Sequence, residues 1–156
     1  MTMLKIRQFR ISDYAGVRTV WEESGLELRP GDTLEEVRRK LRRDPEFFLV
    51  ALSGARIVGT VLGAWDGRRG WLYHLGVLPP ERRKGVATAL VKEVVKRMKE
   101  RGVLKVNAVV MDDNEKSLGF FKKMGFEADR RSVLHGRPIL SSARRTRTER
   151  SPQLHR

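Results

Sequence analysis

Residues 73–90 read Tyr-His-Leu-Gly-Val-Leu-Pro-Pro-Glu-Arg-Arg-Lys-Gly-Val-Ala-Thr-Ala-Leu: an apolar strand, a loop with three consecutive cations and one glycine, then a helix start. The first amide N–H groups of a helix have no partner inside it, and the helix dipole adds partial positive charge there. Such a start attracts anions and suits phosphate. Gly85 lets the main chain approach a ligand closely, Val86, Ala87 and Thr88 open the helix, and Arg82, Arg83 and Lys84 add charge. The loop matches neither familiar phosphate motif. It lacks G-x-x-x-x-G-K-[ST], and it has one glycine where the dinucleotide fingerprint needs three.

What the chain lacks bounds the remaining chemistry. It has no cysteine, so no thiolate nucleophile and no Cys-ligated metal is available. His74, His135 and His155 show no metal-ligand spacing, and no metal is expected. No stretch approaches the ~20 apolar residues of a membrane helix, and the opening Met1-Thr2-Met3-Leu4-Lys5 is no signal peptide. The expectation is a soluble cytoplasmic protein with no membrane partner. The net charge is +14; residues 141–156 hold five arginines against Glu149, a net +4, leaving +10 on residues 1–140. That balance favours polyanions such as phosphorylated cofactors or nucleic acid, and it also keeps a protein soluble.

These residues need elements to position them. Met3–Phe9 alternates as a first strand, and Ser12 is placed to cap a helix running to about Gly25 with Val17, Val20 and Trp21 inward. Thr33 and Glu36 form a capping box for a second helix, which ends at Asp44-Pro45. Three strands then follow, Phe47–Leu52, Arg56–Trp65 and Trp71–Leu78, the last two joined by the hairpin signal Asp66-Gly67. Gly85–Arg101 is a long amphipathic helix, Val103–Met111 an apolar strand, Glu115–Met124 a short helix, and Glu127–Leu134 a last strand. A meander followed by a strand–helix–strand crossover predicts an α/β fold with a mixed sheet and helices on both faces. Residues 1–140 make the domain, and 141–156, rich in Ser, Arg, Thr and Pro, read as a disordered basic tail.

Arg82-x-x-Gly85-x-Ala87 after an apolar strand resembles the pyrophosphate loop of the GNAT (GCN5-related N-acetyltransferase) superfamily, written [QR]-x-x-G-x-[GA]. A second block, from Asn114 through Phe120-Phe121 to Gly125-Phe126, is similar to the family's C-terminal signature. The resemblance runs from Leu4 to about Gly136 and is strongest to small single-domain prokaryotic members. It implies an N-acetyltransferase that moves the acetyl group of acetyl-CoA, as cosubstrate, to a primary amine of a small molecule, peptide or protein.

The resemblance also assigns roles. Main-chain groups of Leu75, Gly76 and Val77 would pair with the pantetheine arm as an added strand, and one of those amides would polarise the thioester carbonyl. Amides of Arg83, Lys84, Gly85, Val86, Ala87 and Thr88 would cradle the pyrophosphate, with the Arg82 side chain beside it. Asn114 and Phe121 would border the pantetheine. Two family positions depart: a Tyr proton donor, four residues before Gly125, is Phe121 here, and a Glu base, five residues before Asn114, is Val109.

Strand alternation puts Trp71, Tyr73 and Leu75 on one face, which makes Tyr73 the candidate catalytic hydroxyl. It points His74 to the opposite face, with a structural role expected despite its ordinary pKa near 6.5. Glu22, Glu23 and Arg29 are candidates to line the acceptor pocket, Arg29 by gripping a carboxylate, and Arg137 lies in a nearby loop. Asp66 is expected only to make its turn. Gly119, costly by ~1 kcal/mol inside a helix, serves either close cofactor approach or tight helix–sheet packing. Two other readings accompany the enzyme: a CoA-binding sensor or pseudoenzyme, motivated by Phe121 and Val109, and a nucleic-acid- or ribosome-associated protein using the basic tail. Acceptor identity and oligomeric state are left open, a dimer among the options.

Overall fold

An apolar run buried on both faces organises the molecule, whose computed structural model describes residues 3–140. In β2 (Phe48–Ser53) successive side chains feed two cores. Phe48, Val50 and Leu52 join one cluster with Phe9, Val17, Trp21 and Val37, while Leu49 and Ala51 join the other with Leu90, Val94 and Met98. A strand alternates sides at every residue, so one continuous apolar stretch satisfies both layers. Around it lie β1 (Leu4–Gln8), β3 (Arg56–Trp65), β4 (Gly70–Val77) and β5 (Val106–Ala108), in the order β1-β2-β3-β4-β5. The first four strands are antiparallel, and β5 runs parallel to β4. Helices α1 (Tyr14–Glu23) and α2 (Leu34–Leu41) supply one cluster, and α3 (Val86–Glu100) and α4 (Glu115–Lys123) supply the other together with Val20 of α1. The expected mixed α/β architecture is observed.

Helix α3 sits in a furrow of glycines. A Cβ on Gly59 would lie 2.8 Å from Val86 Cγ1, one on Gly63 would lie 2.9 Å from Val94 Cγ2, and one on Gly70 would meet Met98 Sδ at 2.5 Å. Without those carbons the helix beds directly on β3 and β4, and the interior reaches native density.

Several boundaries differ from expectation. Ser12 does not cap α1; it lies inside a 3-10 turn, Ile11–Asp13. The Asp13 carboxylate closes that turn by accepting from the Arg10 N–H and the Arg7 guanidinium. Thr33 does cap α2, accepting from the Glu36 N–H at 3.3 Å. The strand expected over 103–111 shrinks to Val106–Ala108, because its parallel partner β4 pairs only over Gly70–Leu72. No strand forms at 127–134: the whole segment is exposed, and Asp129, Arg130 and Arg131 interrupt it with charge. The tail, 141–156, lies outside the described residues. Among the described residues no helix is long and apolar enough to cross a membrane, and no cluster of His, Asp or Glu could hold a metal.

Candidate active site

Strand β4 has two edges with different fates. One pairs with β3 along the strand, from Gly70 to Val77. The other meets β5 only at Gly70, Trp71 and Leu72, after which Val109 N–H donates to Leu72 O and the strands part. On that second edge, the stretch from Tyr73 to Val77 therefore pairs with no strand among the described residues. The free edge runs through the 3-10 turn Pro79–Glu81 into the loop before α3. Gly85, at φ +81°, is the N-cap of α3, and no side chain caps the helix. Arg83 is also left-handed, at φ +64°. A Cβ at Gly85 would meet nothing within 4 Å, so the N-cap itself has open space beside it. Arg82, Arg83 and Lys84 are exposed around them, Lys84 paired with Glu81. This combination of unpaired N–H groups, dipole and cations is an anion cradle.

The register of β4 slips beside the cleft. Leu62 faces Tyr73 and Thr60 faces Gly76, so His74 and Leu75 together stand opposite Val61. This is a β-bulge, which turns side chains out of simple alternation. His74 sits at φ +48°, a left-handed conformation unusual for a residue with a Cβ. Its placement corrects two expectations. Leu75 packs with the α3-side core and does not share a face with Tyr73. The His74 ring turns to the α1 side, edge-on to Trp21 at 5.2 Å. There its Nε2 lies 2.9 Å from both carboxylate oxygens of Asp32. Asp32 is buried in the 3-10 turn Pro30–Asp32, accepting from the Arg29 N–H at 2.8 Å, and the Tyr14 hydroxyl donates to its carbonyl.

Tyr73 stands on the α1/α2 face opposite Leu62, 36 % exposed. Burial, and then the charge of Asp66, push its phenol up from the ordinary value, so it stays protonated at neutral pH. Asp66 makes the expected hairpin: it accepts from the N–H groups of Arg69 and Arg68 and from Trp71 Nε1, which hold its carboxyl down at about 2. Asn114 caps α4, its Oδ1 accepting from Ser117 N–H, which leaves its amide N–H₂ for another partner. Phe121 is buried in the core between Phe120 and Phe126. Gly119 has nothing within 4 Å of a Cβ position, so tight packing is not what keeps a glycine there. The acceptor candidates are dispersed. Glu22 pairs with Arg18 at 2.9 Å, Arg29 pairs with Glu27 at 3.2 Å, and Arg137 borders a shallow pocket with Pro30, Gly31 and Glu36.

The model of the acetyltransferase (GNAT) family matches residues 14–126, from the first residue of α1 to the residue after the α4 turn. The chain belongs to that family. An acetyltransferase of Pectobacterium atrosepticum is 42 % identical over 125 residues, covering 80 % of this chain and 88 % of the relative. The PaiA N-acetyltransferase of Thermoplasma acidophilum, solved in complex with coenzyme A, superposes with a TM-score of 0.76. That match has 22 % identity and covers 83 % of this chain and 93 % of that one. The aminoglycoside acetyltransferase AAC(6')-Iy, bound to the bisubstrate analogue CoA-S-monomethyl-acetylneamine, gives a TM-score of 0.73 at 17 % identity, covering 88 % and 100 %. Membership of this family makes the chain an acetyltransferase with acetyl-CoA as its cosubstrate. The Asp32–His74 contact was not visible from sequence, because its two residues lie 42 positions apart and no glycine or proline at His74 or Leu75 marks the bulge.

Proposed function

We propose that the chain transfers the acetyl group of acetyl-CoA directly to a primary amine of a small molecule, peptide or protein. The observation that carries this reading is the free edge of β4 leading without interruption into the uncapped start of α3. Main-chain groups of Leu75, Gly76 and Val77 hold the extended arm, and the amides of Arg83–Thr88, with the Arg82 side chain, hold the pyrophosphate. The Asn114 N–H₂ and the open side of Gly119 border the arm from α4. When bound, acetyl-CoA supplies an activated acetyl thioester. Tyr73, protonated and beside the cleft, donates the proton that the leaving sulfur needs. Arg29 and Glu22 border the acceptor entrance. Residues 1–140 form the catalytic domain, working in the cytoplasm, and 141–156 a separate basic tail.

The unfolding midpoint with and without saturating acetyl-CoA tests donor binding. At ~100 times Kd a ligand stabilises by about 2.7 kcal/mol, a rise of roughly 2–4 °C for a domain of this size. Thiol release is then followed with neamine, a free-amine tripeptide, lysine and glutamate as acceptors. Release above the acceptor-free rate supports amine transfer. A flat midpoint in folded protein would remove the donor site, and a raised midpoint with no release from any acceptor would leave only a CoA-binding domain.

A further inference from the structure

Amine transfer as proposed has a proton donor in Tyr73 but no group that takes a proton from the acceptor ammonium. We infer that the Asp32–His74 pair fills that place: Asp32 holds the imidazole by its Nε2–H, and Nδ1 accepts a proton from the amine, directly or through one water. The inference rests on the amine-transfer reading and adds a base to it.

The inference implies one tautomer. With the Asp32 carboxylate as acceptor, Nε2, 2.9 Å from both its oxygens, carries the hydrogen, and a neutral ring then keeps its lone pair on Nδ1. The ring is held on three sides: by Asp32, by the Trp21 indole, and by a left-handed backbone at the bulge. Asp32 is held in turn by the Arg29 N–H and, through its carbonyl, by the Tyr14 hydroxyl. A base oriented by a third group is the arrangement by which side chains are activated for proton transfer. One-fifth of the His74 side chain surface stays open, and the base role requires Nδ1 to lie in that fifth.

Four ionisable groups on the elements around His74 are unsuited or committed. Tyr73, the neighbour on β4, is protonated and is the donor. Asp66 is held by three N–H groups and is too weak a base at about 2. Glu22 on α1 faces Arg18, and Glu27 before the turn faces Arg29. The step balances. The acceptor nitrogen gives one proton to His74 Nδ1 and bonds to the acetyl carbon. The carbon–sulfur bond breaks, and the sulfur keeps the electron pair and takes a proton from Tyr73 Oη. The second nitrogen proton returns to Tyr73, and the His74 proton leaves to solvent.

His74→Gly and Asp32→Asn test this in the full chain. Glycine adopts φ +48° without strain, and Asn can still accept from the Arg29 N–H, so both variants are expected to fold. Thiol release is measured with neamine and with the free-amine tripeptide from pH 6.5 to 9.5. In His74→Gly, kcat should fall by about 10²-fold or more at pH 7, with acetyl-CoA Kd unchanged. The deficit should narrow as pH rises and the acceptor deprotonates, and added imidazole should restore rate in proportion to its unprotonated fraction. Asp32→Asn should lower kcat by less, again without changing Kd. An unchanged kcat, or a loss that neither pH nor imidazole alters, overturns the base role and leaves a structural pair. Nitrogen-15 NMR of His74 at pH 8 needs no acceptor: a neutral Nε2–H tautomer supports the inference, and an Nδ1–H tautomer overturns it. Failure of the parent reading looks different, because the wild-type protein would then bind acetyl-CoA and acetylate neither probe.

Discussion

The proposed donor side and the proposed acceptor side of this acetyltransferase are made of different material. The donor side is main chain: a strand edge from Tyr73 to Val77, a left-handed glycine, and the first amides of α3. The acceptor side rests on side chains, Asp32 from the 3-10 turn and His74 from the β4 bulge, joined at 2.9 Å, with Tyr73 and Arg29 as further candidates. A main-chain site survives most substitutions, since every residue but proline supplies an N–H. A side-chain site is only as general as its residues. The difference accounts for Phe121 and Val109 standing where the family resemblance implies an acid and a base, while the uncapped start of α3 is kept.

That contrast can be broken by experiment. Beyond His74→Gly, Tyr73→Phe has the largest expected effect, a fall of about 10²-fold in kcat with acetyl-CoA Kd unchanged; a rise in Kd with kcat preserved would put Tyr73 on the donor side instead. Gly85→Ala should do the reverse. Forcing a Cβ into the left-handed region costs about 1–2 kcal/mol, a weakening of about tenfold in acetyl-CoA Kd, read by calorimetry, with kcat at saturation little changed. Arg82→Ala should weaken acetyl-CoA by a factor of about 2–5, as expected for one exposed charge, and the gap from wild type should shrink in high salt. Asp66→Ala probes a residue that belongs to neither side. Its carboxyl lies at about 2 when folded, below the ordinary value near 3.9. The stabilisation is therefore present above pH ~4 and lost as pH falls towards 2. Urea midpoints of wild type and variant should differ at pH 6 and converge near pH 2, with kcat the same in both at pH 7.

Sequence patterns reached the locally encoded elements. The loop, the period of α3, the hairpin at Asp66-Gly67 and the Thr33 cap are all local, and local preference agrees with the final structure at each. The Asp32–His74 pair was hidden for two reasons. A bulge with His74 and Leu75 carries no glycine or proline to announce it, and strict alternation then sends His74 to the wrong face. The Asp32–His74 bond joins residues 42 apart and has no local signature. At the C-terminal end, Glu127–Leu134 alternates well enough for a strand, but Asp129, Arg130 and Arg131 give it no apolar face to bury.

The glycine furrow makes α3 a lever whose handle is in the core. Met98, over Gly70 and Gly63, lies twelve residues from Val86, about 18 Å along the helix. A methyl group at either glycine would lift that end and tilt the other, carrying the first-turn amides away from the phosphates they serve. Changes that weaken the enzyme's hold on its donor should therefore arise deep beneath the sheet, at positions no ligand touches, and would look from kinetics alone like damage to the binding loop.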